Sequence, residues 1–380
     1  MATWTVKKID DFEDDAKEQV VSMACDEEIL VMGVKGFAGE ARLYDIKTGK
    51  LKTTFRCNDS GDSPNQFSHN EYIDVWLTSK NIITYENSEN SLWIWDREGK
   101  LVAKDPHKNE EEHEELKRLM AMDEEERDIA FAELAKGMTE EQVFGLAMQC
   151  AAGIGANDKM IECITVTDDG KIYAGLEEGF LIIAEVEGSW KIIEENALDF
   201  KVNRISADGK WIALNQANTS TIRLWNEELQ GFSEDHKDLE MKYFEKMWLY
   251  YPFIFIAGKN IDKYGIDIFS FETGLLVREM LKEGERQYRS MHSNGKLLAI
   301  CEEVHDWRNS DEWRKMENLE VALYDLAQLV DENVKNEDLW NFSATFSVKD
   351  MEQEYIVGAL SEKNLVVNHM KTQHTLFSIE

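Results

Sequence analysis

Two Trp-Arg pairs stand six residues apart in "VHDWRNSDEWRKMEN" (304–318): Trp307-Arg308 and Trp313-Arg314. The segment is otherwise polar, so it holds little apolar sequence in which to hide two indoles. Tryptophan and arginine dominate the energetics of protein interfaces, and Trp307, Arg308, Trp313 and Arg314 form the candidate partner-binding set. Other reactive residue types point to less. His107 and His113 lie among glutamates, but with eight histidines scattered among 75 carboxylates such neighbours arise by coincidence. "GIGAND" (153–158) has two glycines of a dinucleotide fingerprint without the third or the βα context that would give them a phosphate to cradle. Cys150 follows a helical stretch; it does not head a helix, where a thiolate would be stabilised. No GxSxG elbow, P-loop, HExxH or EF-hand pattern occurs. The reading is of no catalytic residue, no cofactor and no metal.

The totals narrow the partner. In 380 residues, 43% hydrophobic and 10% aromatic, there is material for a sizeable packed core. Acidic residues number 75 against 42 basic, a net charge of −33. Such a surface repels nucleic acid and anionic lipid and attracts basic protein segments. The expected partner is a protein or peptide, with a basic client favoured, and the chain is a monomer or a subunit of a hetero-complex. "MATWTVKKIDDFEDD" lacks the apolar core of a secretory signal, and "WLYYPFIFIAG" (248–258) is too short to span a bilayer. Cys25, Cys57, Cys150, Cys163 and Cys301 are odd in number with no CxxC pair, which suits reduced thiols. The expected location is the cytoplasm or nucleus.

The elements that must carry the Trp-Arg segment show themselves as a repeat. "SADGKWIAL" (206–214) has Asp-Gly turn chemistry followed by an apolar strand. "TDDGKIYAG" places Gly170 39 residues earlier, and "HSNGKLLAI" places Gly295 86 residues later. The turn missing near 252 is filled by "WLYYPFIFIAG", with Pro252 opening its strand. Second β-rich stretches follow each turn: "ARLYDIKTGKL" (41–51), "SLWIWDREGKL" (91–101), "TIRLWNEELQ" (221–230), "IDIFSFETGLL" (266–276) and "VALYDLAQL" (321–329). About 40 residues holding four short strands is the mark of a propeller blade. The chain resembles the WD40-repeat family over nearly its whole length, with Trp95-Asp96 as the surviving WD dipeptide and Tyr44-Asp45, Trp225-Asn226 and Tyr324-Asp325 as degenerate forms. The Gly-His pair usual near a blade's start is missing.

The resemblance implies an all-β, seven-bladed propeller spanning 1–380 as one domain. The last repeat holds three strands, and "TWTVKKID" (3–10) is expected to supply the fourth and close the ring. An acidic helical insertion is expected over 106–158, between blades two and three, with capping boxes at 123–126 and 139–142 and 15 acidic against 5 basic residues from Asp105 to Asp158. In propellers of this family the insertion, the Trp-Arg segment and the polar stretch "NDSGDSPNQFSHN" (58–70) emerge on one face. The function implied is a non-catalytic interaction scaffold binding on that face; the alternative is a hydrolase or lyase using the central channel.

Overall fold

Alternating strand segments closed by tight turns dictate sheets, and the computed structural model of the chain is built from them. The described residues are 4–13, 19–35, 40–57, 73–87, 90–108, 129–130, 132–133, 136, 139, 159–217, 219, 221–241, 244, 246–260, 263–281, 286–305, 316–347, 358–368 and 373–380. Among them the strands form seven antiparallel sheets, six of four strands and one of five. Six sheets take consecutive strands, over 19–56, 73–104, 163–197, 202–240, 246–281 and 286–347. First strands of adjacent sheets pack together: Gln19–Cys25 on Ile73–Leu77, Val202–Asp208 on Lys246–Tyr250, Arg286–Ser293 on Gly358–Leu360. The first strands therefore line a central axis and the fourth strands form the rim.

The seventh sheet combines Gly358–Leu360, Asn364–Asn368 and Gln373–Ile379 with Val6–Glu13, which runs antiparallel to Gln373–Ile379 from Val6 opposite Ile379 to Glu13 opposite Gln373. Thr5 and Glu380 extend the ladder by exchanging two N–H···O bonds of 2.9 Å. Trp4 Nε1 donates to Asp325 Oδ2 of blade six at 3.1 Å.

Apolar residues pack between blades, not at one centre. Ile83 and Leu92 of blade two meet Ile172 and Ile183 of blade three. Ala213 and Leu224 of blade four meet Ile254 and Ile256 of blade five. Val20 and Leu30 of blade one meet Val366 and Leu376 of blade seven. Seven such clusters of described residues, one for each pair of neighbours, run round the ring. Each fully buried Val, Leu or Ile in them is worth about 1.5–3 kcal/mol.

Polar joints set the blades in register. Ser22 Oγ accepts from the Val75 N–H at 3.1 Å, and Ser206 Oγ accepts from the Leu249 N–H at 2.9 Å. Each serine satisfies a donor on the next inner strand that its own sheet leaves unpaired. Trp95 Nε1 donates to Thr84 Oγ1 at 3.0 Å, and the Cys57 thiol of blade one donates to the same hydroxyl at 3.3 Å. Asp96 Oδ1 accepts from the N–H groups of Glu98 and Lys100. The Trp-Asp dipeptide thus closes a joint with one residue and a turn with the other. Gly170, Gly209 and Gly295, the teeth of the repeat, have φ of +91°, +58° and +78°, a region closed to most side chains.

Three local features differ from a plain reading of strands. "VALYDLAQL" reads as β-rich throughout, but its strand, Met316–Asp325, stops at Asp325. The Asp325 carboxylate accepts from the Gln328 N–H at 3.2 Å and caps a short helix, α1 (Leu326–Leu329). Local capping wins over strand periodicity there. The outer strand of blade four is split into Gly231–Phe232 and Leu239–Glu240, both paired with Thr221–Asn226, with an excursion over 233–238 between them. Of the expected helical insertion, Ile129, Ala130, Ala132 and Glu133 are helical and Thr139 is not; the first capping box, the rest of the second and most of the insertion's length lie outside the described residues, as does 58–70. No helix among the described residues is long and apolar enough to cross a membrane.

Candidate partner-binding surfaces

Strands alternate in direction, so the ends of second and fourth strands share one face with the starts of first and third strands. This upper face receives the strand ends that flank 58–72, the insertion and the Trp-Arg segment. Trp307, Arg308, Trp313 and Arg314 themselves lie outside the described residues. Their stem is described: Val304 pairs with Asn318 and His305 with Met316. The ladder therefore runs into both ends of 304–318.

The root of the insertion is a polar knot around Asn90, a buried residue at φ +49°. Its Oδ1 accepts from the Ile161 N–H at 3.0 Å and from Tyr85 Oη at 3.2 Å, and its Nδ2 donates to the Lys159 carbonyl at 3.0 Å. On the incoming side, His107 Nε2 lies 3.2 Å from the Asn90 carbonyl. Asp105 Oδ1 accepts from the Leu92 N–H at 2.8 Å, and its Oδ2 accepts from Lys108 Nζ at 3.3 Å. One asparagine therefore holds both ends of the insertion on blade two. Burial, reinforced by Lys108, pushes His107 down to about 3, so it serves as a neutral plug. His113 lies outside the described residues, and among those described no three His, Cys, Asp or Glu side chains gather as metal ligands would.

The inner strands place Ser22, Asp74, Arg204, Lys246 and Ser290 at one level, opposite Gly33, Tyr85, Asn215, Ala257 and Cys301 of their second strands. Asp74 and Lys246 belong to blades two and five. Crowding by protein pushes the Asp74 carboxyl upward, with Lys246 opposing. Burial, with a contribution from Lys246, holds His292 down to about 3. Desolvation raises Cys57 and Cys163 to about 12 and Cys301 to about 11, so these thiols stay protonated and make poor nucleophiles.

The opposite, lower face carries a cluster that the sequence reading passed over. Trp211 opens the second strand of blade four (Trp211–Gln216), and Tyr251 lies in the turn just before the second strand of blade five (Phe253–Asn260), at neighbouring hairpins. Their rings stack at 4.6 Å and 7°. His236, from the split outer strand of blade four, meets Trp211 edge-on at 5.0 Å. Ser233 Oγ lies 2.6 Å from His236 Nδ1, and His236 Nε2 lies 3.1 Å from Tyr251 Oη. Asp208 Oδ2 accepts from the Tyr251 N–H at 2.8 Å, which locks one hairpin to the next. The signal available in sequence was an aromatic at the first hairpin of two consecutive repeats, Trp211 after "DGK" and Tyr251 before Pro252. Only the broken outer strand could have announced His236, and nothing in its composition does so.

No protein-family model matches the sequence, and no match to a curated protein was found. Among solved structures the chain is similar to the crystal structure of the C-terminal WD40 domain of Sif2, with 12% sequence identity and a TM-score of 0.51, over 99% of this chain and 98% of that one. At that identity the likeness speaks to architecture. Together with the seven radial sheets and the repeat of turns, it makes this chain a seven-bladed β-propeller of the WD40-repeat fold.

Proposed function

We propose that the protein is a non-catalytic interaction scaffold that binds a protein or peptide, a basic client above all, on its upper face. The observation that carries this reading is topological. Three elaborated connections, two after outer strands and one after a second strand, all depart from the same ends of their sheets. A net charge of −33 favours a basic partner. Trp307, Arg308, Trp313 and Arg314 are the proposed contact residues. The test is affinity capture from native extract with the Trp307→Ala/Trp313→Ala double variant. Loss of a contact of this kind costs about 2 kcal/mol or more of binding, so the main partner should vanish from the captured set. The unfolding midpoint should move by less than about 1 °C, because exposed substitutions change stability by roughly 0.5 kcal/mol or less. Lost stability with capture intact would make these residues a structural clamp and sink the proposal.

The N-terminal strand is proposed as the clasp of the ring, supported by its ladder with Gln373–Ile379 and by the Trp4–Asp325 bond. A hydrolase or lyase reading would have to use Asp74 and Lys246 at their shared level, with His292 two residues along its inner strand from Ser290. In that case Lys246→Met would abolish turnover and leave partner capture intact, whereas the scaffold reading expects no turnover to lose.

A further inference from the structure

We propose a second docking site, on the lower face between blades four and five, which takes an arginine-bearing basic peptide segment on the Trp211–Tyr251 stack. This site is opposite the upper-face surface, so the two proposals stand or fall separately.

The platform is preassembled. Trp211 and Tyr251 lie parallel at 4.6 Å, and the Ser233–His236–Tyr251 hydrogen-bond chain fixes the phenol end. A ligand stacking there need not order the rings first, which lowers the entropic cost of binding. Both rings are only half-buried. Large apolar side chains flank them: Leu229 in the outer turn of blade four is 69% exposed, and Leu275 in the outer turn of blade five is 66% exposed. The turn holding Leu275 rests against the His236 excursion, for Lys237 donates its N–H to the Phe271 carbonyl at 2.9 Å, and a Cβ on Gly274 would come 3.0 Å from Lys237 Cβ. Turn, excursion and aromatic stack thus form one continuous surface.

The charge around that surface selects the occupant. Most cations here are already engaged. Lys171 binds Glu227 at 2.7 Å, Arg223 binds Asp238 at 3.4 Å, and Lys210 pairs with Glu228 while its Nζ lies over the Trp211 ring, 6.0 Å from the centroid, a place that a guanidinium would take over. Three exposed carboxylates, Glu234, Asp235 and Glu272, have no cationic partner among the described residues; Lys237 is the one local cation without a described carboxylate. Burial, then the nearby Glu272 carboxylate, pushes the Tyr251 phenol upward. An aromatic platform edged by unpaired carboxylates fits a guanidinium, whose planar cation stacks on the rings while its N–H donors reach the acids. A lysine would gain the charge without the stacking. A neighbouring apolar residue of the peptide would cover Leu229 or Leu275.

The test uses the full-length protein and a positional-scanning library of acetylated octapeptides, one position fixed per pool. Pools with fixed arginine should be retained over fixed lysine by at least ~threefold, a preference a purely electrostatic surface does not show. Trp211→Leu should remove the arginine preference, with a loss of about thirtyfold. Because that change could also disturb folding, the surface double variant Asp235→Lys/Glu272→Lys supplies the second arm, with a loss of roughly fivefold or more. Glu98→Lys, an exposed charge reversal on the lower face of blade two, should leave retention unchanged. No arginine preference, no retention of any pool, or an equal loss from Glu98→Lys would overturn the site.

Discussion

Arg278 shows how one side chain can hold a corner of the ring. From the outer strand of blade five its guanidinium donates to the carbonyls of Leu329 at 2.7 Å, Asp331 at 2.8 Å and Val334 at 2.7 Å. The Asp331 carbonyl also accepts from the Val334 N–H at 3.1 Å within the turn, so the guanidinium ties α1 and its following turn together and a blade-five cation caps a blade-six element. One position along, Glu279 faces Asp267 directly across the ladder. Burial, then Glu279, pushes Asp267 up to about 6, since like charges directly opposite each other in a sheet repel. A carboxyl raised above its unfolded value contributes stability that is complete below about pH 4 and is lost as pH rises through about 6. Asp267→Asn should therefore raise the thermal midpoint at pH 7.5, by ~2 °C or less, and leave it unchanged at pH 4. Equal effects at both pH values would show that the pair does not titrate as described. None of this was legible in "GIDIFS" and "LLVREM", because cross-strand partners are chosen by register and register is not written in either segment alone.

At the scale of elements, the sequence carried the blades wherever a turn had its own chemistry. Asp208-Gly209 and Asn294-Gly295 mark hairpins because glycine alone occupies that φ cheaply, and the alternation after them names the strands. Legibility failed where a local competitor took over: Asp325 capping α1, and the excursion that breaks blade four's outer strand and delivers His236 to Trp211. The Trp-Arg residues were found by type, and only their stem has a described place in the fold. The edge strand Val6–Glu13 is the element whose removal tests the clasp. Without residues 1–13, Gln373–Ile379 would present an unpaired ladder and Trp4 would no longer cover its neighbours in blades six and seven. The truncated protein should lose roughly 5 °C or more of its midpoint, or aggregate through the open edge. An unchanged midpoint would remove the clasp from the account.

For the whole molecule, the excess of acid is a cost to compactness as well as an attraction to basic partners. With a net charge of −33, self-repulsion should weaken the fold at low salt. Raising sodium chloride from about 10 to 150 mM, which shortens the screening length from ~30 to ~8 Å, should lift the unfolding midpoint; a flat or falling response would mean that local ion pairs such as Lys171–Glu227 outweigh the global field. The ladder between Val6–Glu13 and Gln373–Ile379 has a consequence for synthesis. At about 5–20 residues per second, on the order of 20–70 s separates the emergence of these two strands from the ribosome. Throughout that interval Val20, Met23, Leu30 and Met32 of blade one lack the blade-seven side chains they pack on in the finished ring. The growing chain carries this sticky flank until residues 358–379 are made, so its demand for chaperone shielding during translation is set by how far along the chain the blade-seven strands lie from blade one.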